Sequence, residues 1–308
     1  MRNRVSISLL LILGLVAFES AAAPNYSEWS AATNLGGTVN SSSDDSGPAF
    51  SKDGLSLYFT STRPGGFGGE DIWVSQRASA GDPWGAPANL GSTINTAAAE
   101  RVPNFSRDGH WMFFGSTRTG GQGFDLWASW RSSGHDDFGW QTPVNLGPGI
   151  NTASVENAPA FLETKDGAQF IYFTSNRPGG PGDFDLYVSA RQADGTWGAA
   201  TPVVELNTPF NESRPAVRHD GLEILFQSNR PGSAALDLWS ATRATTADAW
   251  SGVTNLGVVN SASVDSQPTV SSDRETLIFA SNRGGGHGGF DLYMSTRTKV
   301  HGLQLTGE

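Results

Sequence analysis

Cysteine is absent from this 308-residue chain. That excludes a disulfide framework, a thiol nucleophile and a lipid-anchoring cysteine. Basic residues are few: 20 Lys and Arg stand against 30 Asp and Glu, a net charge of −10. An acidic chain whose bases are dispersed is poorly matched to nucleic acid or to an anionic membrane surface. No apolar run is long enough to span a bilayer, so membrane insertion is not expected. Beyond the first residues no segment has helical periodicity. What the chain has instead is 38 glycines and 10 tryptophans, a composition of tight turns and packed aromatic strands.

The start of the chain carries Arg2 and Arg4, an apolar run from Leu9 to Phe18 and small residues from Ser20 to Ala23. This is the pattern of a signal peptide, expected over residues 1–22 with cleavage near Ala22. Its loss would remove Arg2, Arg4 and Glu19 and leave the rest one unit more acidic. The mature protein is expected to be periplasmic or secreted, a monomer without a cofactor.

The remainder repeats one pattern five times. Asn, then an acid five residues later, then Pro three after that, occur as Asn40/Asp45/Pro48, Asn95/Glu100/Pro103, Asn151/Glu156/Pro159, Asn207/Glu212/Pro215 and Asn260/Asp265/Pro268. A strand follows each, ending on Arg63, Arg118, Arg177, Arg230 or Arg283. A loop, mostly glycine-rich, leads to Asp-(Leu/Ile)-(Trp/Tyr) at Asp71, Asp125, Asp185, Asp237 and Asp291. Trp29, Trp84, Trp140, Trp197 and Trp250 precede the Asn positions, which makes the period 53 to 57 residues. A period of this length built of short strands marks a repeat architecture.

Within one period the sequence reads as four strands. Trp84 to Gly91 is a proline-tolerant outer edge. Pro103 to Ser106 is a short inner strand closed by the Asp108-Gly109 hairpin signal. Trp111 to Ser116 and Leu126 to Ser129 are apolar runs expected to be buried on both faces. The expectation is an all-β, five-bladed propeller over residues 23–297. The mature chain begins with an outer strand alone and ends with three inner ones, so the first strand should complete the last blade and close the ring. Residues 298–308 are left as a loose tail. The string from Pro48 to Ser75, with Pro-Ala-Phe-Ser-Lys-Asp-Gly, Leu-Tyr-Phe-Thr-Ser-Thr-Arg-Pro-Gly-Gly and Asp-Ile-Trp-Val-Ser, resembles the WD-like propeller repeat of the TolB type. Members of that group include periplasmic envelope proteins, scaffolds and some polysaccharide-active enzymes. The resemblance therefore implies the fold and an envelope setting, not an activity.

In a four-strand meander the acid, the Arg and the Asp of each blade converge on one face near the channel mouth. An Arg between two carboxylates would make charge-assisted hydrogen bonds that fix the blade's register, and five copies argue for architecture over chemistry. Inner-strand starts line a channel, however, so the acids are also candidate ligand contacts. The candidate ligand-binding set is Asp45, Glu100, Glu156, Glu212 and Asp265 with Arg63, Arg118, Arg177, Arg230, Arg283 and His287. No calcium or phosphate loop signature occurs, so no metal site is assigned. The tryptophans read as packing rather than as sugar platforms. Catalysis should appear as departures from the repeat. The unmatched histidines, His110, His135 beside Asp136-Asp137, His219, His287 and His301, assemble no catalytic set, so no catalytic residue is assigned. The expected function is an exported binding module or scaffold that meets an envelope protein or a glycan through the acid–Arg face. The alternative is a glycan-active hydrolase or lyase at the channel mouth, for which two ring carboxylates free of Arg would be needed.

Overall fold

The computed structural model describes residues 25–300. The signal-peptide pattern and the last eight residues of the tail lie outside them. Five sheets, each of four antiparallel strands, follow one another around a ring. In the first blade Asp45–Phe50, Ser56–Ser61, Asp71–Gln76 and Ala88–Asn89 run from the axis outward. The second and third strands are buried along almost their whole length, as their unbroken apolar runs require when blades stack face to face. Tyr58, Ile72 and Val74 of the first blade meet Phe105, Phe114 and Trp140 of the second. Leu57, Phe59 and Trp73 on the other side of that blade meet Ile278, Ala280 and Leu292 of the fifth. Each interface buries several side chains worth about 1.5–3 kcal/mol apiece, so the core is five inter-blade seams.

The ring closes as the order of the pieces implies. Thr33–Asn34 pairs with Tyr293 and Met294, the third strand of the last blade. A second clasp corrects the expectation of a loose tail: Lys299–Val300 pairs antiparallel with Asn25–Tyr26. Arg297 packs over Tyr26 and Trp29 at 4.5 and 4.3 Å, which holds both ends of the chain together. A three-residue 3-10 turn at Gly257–Val259 is the one helical element among the described residues.

Each inner strand starts earlier than its apolar residues suggest, at the acid itself. Glu100–Phe105 carries a bulge between Arg101 and Asn104, and all five inner strands carry the equivalent shift. The residue before each Pro takes a left-handed conformation: Gly47, Val102, Ala158, Arg214 and Gln267 have φ of 52–57°. Proline cannot donate to the ladder, so the extra residue is absorbed by the bulge beside it. Only the first blade places glycine there. A Cβ on Gly47 would lie 2.9 Å from Thr60 Oγ1 and 3.2 Å from Val102 Cα. Gly47→Ala is expected to destabilise by about 1–2 kcal/mol, lowering the melting temperature by several degrees in thermal denaturation. Ala158→Gly, which relieves the same conformation, should leave it unchanged or raise it.

Candidate functional site

All five ring acids are fully buried, at 0% exposure, and each pairs with the Arg of its own blade at 2.5–3.2 Å. Glu100 also accepts the Thr96 N–H at 2.6 Å and the Thr96 and Ser116 hydroxyls at 2.8 Å. Arg118 donates in addition to Ser116 and to the Ile94 carbonyl, and lies over Phe114 and Trp127. The partners co-vary: the two Asp blades use Ser41 and Ser261 where the three Glu blades use Thr96, Thr152 and Thr208. Ten of the eleven nominated ligand contacts are thus occupied inside the blades. His287 is exposed, and its ring lies against Gly37, where a Cβ would be 3.1 Å from His287 Cε1. That places it by the connection leaving an outer strand.

The expectation of an Arg shared by two carboxylates is corrected. Among the described residues Asp71 takes no Arg; it accepts the N–H groups of Phe67 at 2.7 Å and Gly68 at 3.3 Å. Asp291 likewise holds His287 N, Gly288 N and the Asn34 amide. The loop wraps so tightly that a Cβ on Gly66 would fall 1.7 Å from Asp71 Oδ2. Burial raises the Asp71 carboxyl above its ordinary range, the loop N–H groups pull it back, and the nearby charge of Glu100 adds to the rise. The repeated Asn has a separate task. Asn95 accepts the Ile72 N–H at 2.8 Å and donates to the Ile72 carbonyl at 2.9 Å. It pairs with the preceding blade as a strand backbone would, and so do Asn40, Asn151, Asn207 and Asn260.

A second set of arginines, six residues after each Asp, completes the architecture. Arg77, Arg131, Arg191, Arg243 and Arg297 lie 4.1–5.2 Å from the ring centres of Trp84, Trp140, Trp197, Trp250 and Trp29. The outer tryptophans are covered by these cations and by their blades. Asp137 is buried where it accepts Ser56 Oγ at 2.5 Å, Gln76 Nε2 at 2.7 Å, Arg131 Nη1 at 3.2 Å and the Tyr58 hydroxyl. This locks the first blade to the second. Burial, with Asp137 beside it, holds the Tyr58 phenol well above its ordinary value. His135 is exposed and meets Asp53 at 3.1 Å. His110 stacks on Trp130, and His219 lies at the hairpin-side mouth with Lys52, Arg107 and Lys165. His301 lies outside the described residues.

With these groups assigned to the scaffold, the differences between blades stand out. Between acid and Pro the pairs are Ser46-Gly47, Arg101-Val102, Asn157-Ala158, Ser213-Arg214 and Ser266-Gln267. The residue before each third-strand Asp is Phe124, Phe184, Leu236 or Phe290, except in the first blade, where it is Glu70. Six of these positions, Arg101, Asn157, Ser213, Arg214, Phe184 and Leu236, meet at the mouth on the acid–Arg face. Arg101, Asn157, Thr174, Phe184, Arg214 and Gln227 line a cavity of about 260 Å³. Glu70 lies 3.5 Å from Arg101, whose Cζ sits over the Phe124 ring at 3.6 Å from its centre. Arg214 Nη1 and Arg101 Nε are enclosed and meet no acceptor among the described residues. Burial, and then the like charge of Arg101, push the Arg214 guanidinium down to about 9, with Glu70 acting the other way. Arg214 has no carboxylate within ion-pair distance among the described residues, and Glu70 acts on it only from further away.

No protein-family model matches the chain, and no curated protein matches it. Solved structures do. An α-L-arabinofuranosidase from Lactobacillus brevis aligns at 14% identity with a TM-score of 0.61, over 84% of this chain and 92% of its own. The catalytic domain of a Coprinopsis cinerea GH62 α-L-arabinofuranosidase aligns at 14% and 0.58, over 90% and 98%. A thermostable family-43 glycoside hydrolase aligns at 13% and 0.57, over 86% and 92%. The likeness is one of fold. A TolB from Agrobacterium tumefaciens also aligns, at a TM-score of 0.48. The five-bladed propeller that the TolB-type resemblance implies is the fold observed in the strand topology. These findings correct the expected function. The neighbours are mostly glycoside hydrolases, not binding modules or scaffolds, and the acids and arginines that were to meet a partner are paired within their own blades.

Proposed function

We propose that the protein is an exported glycan-cleaving enzyme, a hydrolase or a lyase, with its site in the cavity at the mouth on the acid–Arg face. The observation that carries the reading is Glu70. It is a carboxylate outside the ring pairs, at a position that is aromatic or Leu in every other blade, beside the cavity with Arg101 and near Arg214. The ring acids, each tied to its Arg, do not supply the two free carboxylates that a hydrolase at the channel mouth was expected to need, so the group assigned to move a proton at the reacting atoms is Glu70. Phe184, Asn157, Asn211 and Gln227 around the cavity supply an apolar surface and amides of the kind that hold a sugar. The glycoside hydrolases that share this architecture support the same substrate class. The signal-peptide pattern supports an envelope or extracellular setting.

The test is direct. The protein lacking residues 1–22 is incubated with arabinan, arabinoxylan, polygalacturonate and alginate, and both new reducing ends and unsaturated uronate products are followed. Time-dependent release from at least one of them is expected. Release from none, by a protein shown to be folded, would overturn the reading.

A further inference from the structure

The cavity beside Glu70 is lined by two arginines with enclosed nitrogens that meet no acceptor among the described residues, and the rest of the molecule shows how unusual that is. Each ring Arg has its acid, hydroxyl and carbonyl; each outer Arg has its Trp. Arg218 and Arg274 share Asp220 at 2.7 and 2.9 Å. Arg101 has one distant carboxylate, Glu70 at 3.5 Å, and leaves its Nε without an acceptor. Arg214 leaves its Nη1 without one, and it does so from a left-handed backbone with φ of 57°. A partly enclosed guanidinium with no carboxylate within ion-pair distance, on a strained backbone and near a second guanidinium, is held against several unfavourable terms at once. An anionic ligand removes the electrostatic ones.

We infer that Arg101 and Arg214 bind the carboxylate of a uronate residue, so that the glycan recognised in this cavity is an acidic one. The inference rests on the proposed placement of the site in this cavity. The planar fork of a guanidinium matches the two oxygens of a carboxylate. Arg101 is already fixed in orientation by Phe124. The remaining lining fits the rest of a hexuronate: Asn157, Asn211, Ser213 and Gln227 for hydroxyls, and Phe184 for an apolar ring face. A volume of about 260 Å³ suits one sugar ring rather than a large ligand. A protein of net charge −10 is not a general polyanion binder, so the attraction is local to the pair. Relief of the depressed Arg214 on binding adds to affinity.

Isothermal titration of the protein lacking residues 1–22 tests this with three oligosaccharides of equal length: oligogalacturonate, its carboxyl-reduced neutral counterpart and a sulfated neutral chain. The uronate is expected to bind at least roughly tenfold more tightly than the neutral chain, weakening as salt rises. Arg214→Gln should abolish that preference, bringing the uronate down to the affinity of the neutral chain; Arg214→Lys should restore part of it. Equal affinity for uronate and neutral chains, or tighter binding of the sulfated one, would overturn the inference, and the wild-type comparison decides this even if Arg214→Gln fails to fold. Uronate binding that depends on Arg214 without any cleavage would remove the enzymatic reading and leave this one. Cleavage of a neutral glycan without uronate preference would do the reverse.

Discussion

Glu156→Ala is expected to lower the melting temperature by on the order of 10 °C. Glu156 has 0% exposure; Arg177 is ion-paired with it, and Thr152 and Ser175 donate to it. Truncation leaves the Arg177 guanidinium, 12% exposed, facing an empty space, and the Thr152 N–H without its acceptor. Removing one member of a buried pair costs about 3–5 kcal/mol, and each kcal/mol moves the transition of a domain this size by about 2–4 °C. Glu156→Gln keeps the acceptor for Thr152 and should fall in between. The informative variant is the double replacement, Glu156→Ala with Arg177→Met. It removes the stranded charge and keeps a side chain that can lie over Phe173 and Tyr187, where Arg177 now sits. It should recover part of the loss, so that the double-mutant cycle shows strong coupling. Calorimetric or circular-dichroism melting curves measure all three. A single variant that melts with the wild type would mean that the ring is not architectural. So would costs that simply add.

The ring's architectural role was readable from its fivefold constancy, and so were blade number, strand order and the closing strand at Thr33–Asn34, because five copies report one environment. Three things were not. The inner strands begin at the acid, but Glu100-Arg101 is polar and Pro103 cannot donate, so neither hydrophobicity nor pairing potential marks the bulge between them. The partner of Asp71 was misplaced because topology brings Arg63 and the glycine loop equally near. Backbone N–H groups three and four residues away close a far shorter loop than the Arg does, and they win. The outer arginines, from Arg77 to Arg297, keep a constant spacing of six after each Asp and could have been found by extending the repeat alignment. Beside the cavity, Glu70 stands where the other blades have Phe or Leu. Arg101 and Arg214 occupy positions that vary from blade to blade, so the repeat does not mark them, and the unmatched histidines lie elsewhere.

Glu70→Gln is expected to reduce cleavage by about 10²–10⁴-fold, the range lost when a positioned proton-transfer group is removed. The substitution keeps the shape and a hydrogen-bonding carbonyl, and removes the ability to exchange a proton at the reacting atoms. The fold should not notice. Glu70 is partly exposed, and its contact with Arg101 is long, at 3.5 Å; such pairs contribute about 0–1 kcal/mol. The backbone carbonyl of Glu70, which accepts the Glu100 N–H at 2.8 Å, is untouched. Steady-state kinetics should therefore show the loss in kcat with KM nearly constant, on a protein that melts with the wild type. The contrast with Glu156 separates the two kinds of carboxylate on this face. Glu156→Gln should lower the melting temperature and, below the transition, leave kcat within a few-fold, whereas Glu70→Gln should do the opposite. A Glu70→Gln enzyme with full kcat would remove Glu70 from the chemistry. If Glu156→Gln instead abolished turnover without loss of stability, the ring would be the reacting site after all, and the scaffold would have to lie in the positions that vary.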